Sequence, residues 1–561
     1  MNDSNEMLRP HAAPDMAGYY SSRGWWGDET FRGVLKRHAA TDPDGVAIIE
    51  GDQLLTWAEY DRRSDSAAAA LVQHGLLPGD RVAVLAPDGP LVHVLFVAAE
   101  KAGLVVMAIG PRAGEREIAH LVRASQASTL VTAAGHRDDE FPGFVESMRR
   151  DLPHFRHHLV ATDAGPVTID GVAIAGVDGA GVDDAGVDGD ELVALLDGRG
   201  PGPNELFLLN STSGTTGLPK CVMHHQNRWF YFHQLAVESG GLRSDDVFMS
   251  VVPAPFGFGL WTSHVTPLLL GAPTVVLSHF SPKTMIAAIE RHRVSVLAAV
   301  STQFIMMLNE PSLGEHDLSS LRALFTGGEA VPRQRAAEFE EQTGARVLQF
   351  YGSNETGALS RTTLTDDANT RWETAGHVID DMTVRLIDEA GNDVTSTGGP
   401  GQPVCLGPAT CLGYYDDDEA NRTLVRPDGW MTTGDIALLD GAGRLSIVGR
   451  TSDIIIRGGK NISAPAVEAE VLTHPMVALA AAVAVPDPTF GERVCVVVSS
   501  VDGHPLTLED ITDHLRQRGV TKEWWPEYFV LLPELPRASG GKIAKAELRE
   551  MVKQRFATEG S

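Results

Sequence analysis

Cysteine is sparse in this 561-residue chain. Its four cysteines, Cys221, Cys405, Cys411 and Cys495, show no CxxC spacing, which excludes a disulfide scaffold and a structural thiolate metal site. Their scatter points to a reducing cytoplasm, and no surrounding pattern marks any thiol as a nucleophile. Positive charge is short as well: 46 Lys and Arg face 74 Asp and Glu, a formal net charge of −28. Such a surface repels nucleic acid and acidic membranes, so an anionic ligand must be met by local positive charge. Lysine is scarce beside arginine, which makes Lys220, Lys460 and Lys542 informative where they fall inside motifs. The longest apolar run, residues 91–110, is broken by Glu100 and Lys101, so it reads as a buried helix and strand and not a membrane span. The N-terminus lacks the basic start and apolar core of a signal peptide.

What is present is enough apolar residue, 43% of the chain, for more than one core. From Thr30 to about Val131, short β-branched runs such as Val46-Ala47-Ile48-Ile49 alternate with alanine-rich helical stretches, which predicts layered α/β structure on a largely parallel sheet. Residues 165–203 break the pattern with GVDGAGVDDAGVDGD, whose aspartates lack calcium-loop spacing and read as a solvated insertion. After α/β alternation resumes, strands from Thr374 onward are short, with hairpin tips at residues 388–392 and 440–443 marking a small β subdomain. A last stretch has the size of a small α+β domain. The expected division is 1–449 and a mobile domain 450–561.

The most distinctive stretch, STSGTTGLPK at 211–220, follows Phe207-Leu208-Leu209 and precedes Cys221-Val222-Met223, placing it as an exposed loop between two strands. Gly214 and Gly217 let backbone amides turn toward an anion, Ser211, Thr212, Ser213, Thr215 and Thr216 add donors, and Lys220 adds charge. The GxxxxGK[ST] pattern fails here, so this is not the loop of P-loop NTPases. Tyr351, after the apolar run 347–350, is placed to stack on a base, and Glu355 to hold Mg²⁺. Asp435, in the turn after Thr433-Gly434, is an acceptor suited to ribose hydroxyls.

Five motifs occur in order: STSGTTGLPK, Tyr351-Gly352-Ser353-Asn354-Glu355-Thr356, Asp428-Gly429-Trp430 with Thr433-Gly434-Asp435, Gly449-Arg450 with Asp453, and Pro536-Arg537 with Gly541-Lys542. Together they resemble the adenylate-forming ANL superfamily, nearest to acyl-CoA synthetases for alicyclic and aryl acids. The resemblance implies ATP, CoA and Mg²⁺, with a small-molecule carboxylic acid as substrate. It places Tyr351 and Gly352 on adenine, Gly328 and Glu329 at the adenine-side turn, Asp435 on ribose, Arg450 on ribose and phosphate, Glu355 on the metal, and Lys542 between the substrate carboxylate and the α-phosphate. Rotation about Ser452 then presents Gly458, Gly459 and Lys460 to CoA. Lys545 is expected as a solvated helix residue.

The chain departs from the family at Ser452, usually Asp or Lys, at Ala466, usually Glu, and at Asn354, usually a threonine holding the α-phosphate. Cys221, Gln226 and Gly540 also differ from the common residues. Three readings stay open: a complete acid:CoA ligase; an enzyme of the same fold that thioesterifies acyl-AMP made by a separate enzyme, or adenylates an acid for a separate carrier protein; and a non-catalytic acyl-nucleotide binder. The departures favour thioesterification over adenylation. The segment Phe256, Gly257, Phe258, Gly259 and Trp261 aligns with the acyl pocket; its aromatic faces, small glycines and lack of charge suit a cyclic or polycyclic acid.

Overall fold

The computed structural model describes residues 16–136, 141–161, 168–169, 172–173, 194–212, 219–450, 453–457, 460–487, 489–538 and 541–556. Among these, the apolar runs form two large sheets. The first has nine strands, in the order His377–Val378, Gly357–Arg361, Arg346–Ser353, Ala323–Gly327, Val296–Ala298, Phe248–Ser250, Thr274–Val275, Val46–Glu50 and Gln53–Thr56. Its inner strands run parallel, and antiparallel strands close both edges. The second has eight strands around a parallel core of Leu208–Ser211, Val105–Ile109, Arg81–Leu85, Thr129–Ala133 and His157–Ala161. Helices cover both, as parallel strands require. The helix Trp57–Gln73 starts at a reciprocal capping box formed by Thr56 and Glu59. The run 91–110 resolves into the buried helix Pro90–Ala102 and strand Val105–Ile109.

Beyond the sheets, Thr383–Ile387, Gln402–Leu406 and Met431–Thr432 form a small sheet, and Asp435–Leu439 pairs with Leu445–Arg450 through the tip at 440–443. A separate five-stranded sheet follows, built on the long hairpin Val477–Asp487 and Gly491–Ser500. Its two-residue period divides two cores. Val494, Val496 and Val498 face the helices Ala464–Val471 and Leu508–Gln517, while Cys495 and Val497 join a cluster that includes Phe304, Ile305 and Leu308 of the large domain. That second face is covered by the small domain's last helix, Lys545–Phe556, through Leu548 and Val552, and also touches the helix Ser301–Leu308. No helix among the described residues is long and apolar enough to cross a membrane, and the quasi-repeat at 176–190 lies outside them.

The site is fixed by topology. Four neighbouring parallel strands, Phe248–Ser250, Val296–Ala298, Ala323–Gly327 and Arg346–Ser353, end at one edge. Their carboxyl ends release, respectively, the Pro253–Trp261 segment, the helix Ser301–Leu308, the Gly328-Glu329 turn and Asn354-Glu355. Crevices of this kind are where open α/β sheets bind ligands.

A buried ion pair locks this sheet to its covering helices. Glu340 receives Arg371 at 2.7 and 3.0 Å, Arg346 at 3.0 Å and the Val347 amide at 3.0 Å. Removing Arg371 leaves the buried carboxylate with the solvent-exposed Arg346 as its remaining cation and the Val347 amide as a donor. Arg371→Leu is expected to lower the stability of the large domain by about 3–5 kcal/mol, read as an earlier guanidinium midpoint; a change below about 1 kcal/mol contradicts that role.

Candidate active site

The phosphate-loop hairpin forms as expected. Leu208–Ser211 pairs antiparallel with Cys221–His224, and its neck is closed by Thr212 and Lys220: the Thr212 amide donates to the Lys220 carbonyl at 3.1 Å, and the Lys220 amide to Thr212 Oγ1 at 3.2 Å. Ser213, Gly214, Thr215, Thr216 and Gly217 lie outside the described residues. Lys220 Nζ sits 4.9 Å over the ring of Tyr414, whose hydroxyl donates to Glu355 Oε1 at 2.7 Å. A lysine and a carboxylate from distant motifs thus share one tyrosine. Tyr414 had no motif to mark it.

The hairpin register of Asp435–Leu439 and Leu445–Arg450 sets Asp435 opposite Arg450. Arg450 Nε donates to Asp435 Oδ1 at 2.9 Å, and Tyr351 OH to Asp435 Oδ2 at 2.8 Å. Burial, then the Asp435 charge, raises the Tyr351 phenol well above its ordinary value, so it stays a donor. Three residues predicted from separate motifs are thereby assembled around one carboxylate.

Gly328 follows its strand with φ of +78°, and a Cβ there would meet Lys542 Nζ. The lysine arrives from the small domain and donates to the Gly328 carbonyl at 2.8 Å. Its loop lies on the helix Ser301–Leu308, where a Cβ on Gly541 would stand 3.1 Å from Gln303 Nε2. Glu329 accepts from the Thr302 amide and hydroxyl, both at 3.3 Å. Burial raises the Glu329 carboxyl and lowers the Lys542 ammonium, each shift opposed by the charge of the other.

Lys545 corrects an expectation. It is not a solvated helix residue but pairs with Glu468 at 2.7 Å, where burial had made a partner for that carboxylate necessary. Lys460 is exposed and paired with Glu523. Ser452, Gly458 and Gly459 lie outside the described residues.

In the acyl segment, Phe256 and Phe258 are half-buried and Gly257 and Gly259 are buried. Leu260–Val265 forms a π-helical turn, a geometry frequent at functional sites. Trp261 is 1% exposed, with ring centroids 4.7 Å from Phe232, 5.0 Å from Phe350, 5.4 Å from Phe325 and 5.5 Å from Phe258. A Cβ on Gly257 would fall on Asn354 Oδ1, so the acyl segment touches the nucleotide motif directly.

Three further residues escaped the sequence reading. Arg228, His224 and Asn210 are buried and connect to Asn354 by hydrogen bonds. The one signal was a polar residue set into each of two apolar strands, Asn210 and His224.

The chain matches known proteins over most of its length. The AMP-binding enzyme family matches residues 35–415, and the AMP-binding enzyme C-terminal domain matches 466–542. The chain is 32% identical over 541 residues to 2-hydroxy-7-methoxy-5-methyl-1-naphthoate--CoA ligase of Streptomyces carzinostaticus, covering 95% of each chain. It is 29% identical over 546 residues to medium-chain fatty-acid--CoA ligase of Escherichia coli K12, covering 96% of this chain and 93% of that one. The crystal structure of the anthranilate CoA ligase AuaEII with anthranoyl-AMP superposes with a TM-score of 0.82 at 22% identity, over 95% of this chain and 98% of that one, a likeness of fold.

Asp88 anchors the acyl segment by accepting from the Ala254 amide at 3.1 Å, and burial raises its carboxyl from 3.8 to about 7. A carboxyl raised in the folded state holds its proton there while the unfolded chain has lost it, so its contribution to stability falls as pH rises from about 4 to about 7. Asp88→Asn keeps the acceptor and removes the titration. It is expected to abolish that fall, which amounts to as much as about 1.4 kcal/mol per pH unit. Parallel profiles of stability against pH for the two proteins contradict it.

Proposed function

This chain belongs to the AMP-binding enzymes and is an acyl-CoA ligase; on that premise we propose that it carries out both half-reactions, and that its acid is cyclic or polycyclic. The observation that carries the first part is Lys542. Its hydrogen-bond partner is a backbone carbonyl and not a carboxylate, so donors on the ammonium remain for an anion.

In the proposed first step an oxygen of the acid attacks the α-phosphorus of ATP, and the bond to pyrophosphate breaks. Lys542 and Lys220 meet the negative charge on the transferring and departing phosphoryl groups, the phosphate loop adds its amides and hydroxyls, and Asp435 with Arg450 and Tyr351 holds the nucleoside end. Glu355 would hold a magnesium ion, since Tyr414 occupies Oε1 and leaves Oε2. Such an ion neutralises phosphate charge. In the second step the thiol of CoA attacks the acyl carbonyl and AMP leaves. Rotation about Ser452 withdraws Lys542 and brings Gly458, Gly459 and Lys460 to the site, with Lys460 leaving Glu523.

The aromatic wall of Phe258, Trp261, Phe232 and Phe350 supports a flat, apolar acid body. The naphthoate ligase among the relatives points the same way. CoA-thioester formation across a panel of aryl, alicyclic and polycyclic acids, with acetate and octanoate as controls, tests this. The expected result is a kcat/KM for the best cyclic acid at least about a hundredfold above either control, the scale of a few kcal/mol of apolar contact. Equal or better use of octanoate contradicts the substrate class.

A further inference from the structure

Asn354 stands where the family resemblance places a threonine at the α-phosphate, and an amide differs from a hydroxyl in having two unlike ends. Which end faces the nucleotide matters, and here it is set from two directions. Arg228 is donor-only, and its Nη1 donates to His224 Nδ1 at 2.6 Å. His224 is therefore the Nε2–H tautomer, and that nitrogen lies 2.7 Å from Asn210 Oδ1. The other end of the Asn210 amide is then Nδ2, a donor 3.5 Å from Asn354 Oδ1. At the opposite end the Ser211 carbonyl can only accept, and it lies 3.4 Å from Asn354 Nδ2. Both ends dictate the same polarity. Arg228 closes the ring through the backbone, donating from Nη1 to the main-chain carbonyl of Asn354 at 2.8 Å.

Burial holds the three supporting residues in this order: Arg228, His224 and Asn210 are 2%, 0% and 0% exposed, so reversing the His224 ring or the Asn210 amide would oppose like groups in a low-dielectric interior, while Asn354 itself is half-buried. Gly257 stays side-chain-free on the Oδ1 side. Ser211 takes one hydrogen of Asn354 Nδ2, which leaves the second.

We propose that Arg228, His224 and Asn210 are positioning residues that fix the Asn354 amide so that its remaining N–H, and not its carbonyl, is offered to the α-phosphoryl oxygen. This rests on the adenylation reading above. The relay supplies by orientation what a hydroxyl supplies by rotation.

The test is a double-mutant cycle on acid-dependent ATP–pyrophosphate exchange. His224→Leu and Asn210→Ala are each expected to lower kcat about tenfold or more with little change in the KM for ATP. His224→Gln, which carries an acceptor and a donor in the same order, is expected to recover most of the loss seen in His224→Leu. In an Asn354→Thr background, where nothing needs orienting, the same substitutions should change kcat less than about twofold. Full-sized losses in that background overturn the relay, and so does unchanged exchange in both single variants. Asn210→Ala keeps the test decisive if His224→Leu does not fold. A wild-type protein that shows no exchange with any acid, yet makes thioester from acyl-AMP, removes the adenylation reading and the relay with it.

Discussion

A chain with a formal net charge of −28 in a family that binds nucleotide phosphates must collect its cations from distant parts of the sequence. The fold does so by geometry. One hairpin brings Lys220 over Tyr414 beside Glu355, a second sets Arg450 against Asp435, and the small domain brings Lys542 to Gly328. The first two arrive by strand register within the large domain. The third arrives by docking of the small domain, and the proposed alternation between half-reactions relies on that difference.

Docking depends on period-two patterning in the hairpin Val477–Asp487 and Gly491–Ser500. One face packs on the helices Ala464–Val471 and Leu508–Gln517; the other packs on the small domain's last helix, Lys545–Phe556, and also joins the cluster around the helix Ser301–Leu308. The same helix holds Gln303 beneath the lysine loop and Thr302 against Glu329. The small domain and the Gly328-Glu329 turn therefore rest on the same helix.

The strands, the main helices and the motif-bearing side chains were legible because each is local: alternation, capping and turn chemistry act over a few residues. Val46–Glu50 forms where its pattern places it, and an alanine-rich stretch after it becomes the helix Trp57–Gln73. The relay behind Asn354 was not legible, since Asn210, His224 and Arg228 acquire meaning from a strand register and a helix start that bring them together. Lys545 misled for the same reason: it lies on a polar helix, and its partner Glu468 is on another. Asn354 reads as a departure in sequence; in the structure its amide has a fixed environment.

Replacing the delivered lysine separates the two half-reactions. In a Lys542→Ala protein, acid-dependent pyrophosphate release without CoA is expected to fall by about a hundredfold or more, as loss of transition-state charge stabilisation requires. Thioester formation from synthetic acyl-AMP should persist within a few-fold. Equal loss in both reactions, or undiminished pyrophosphate release, contradicts the role of Lys542 as the cation that the small domain brings to adenylation.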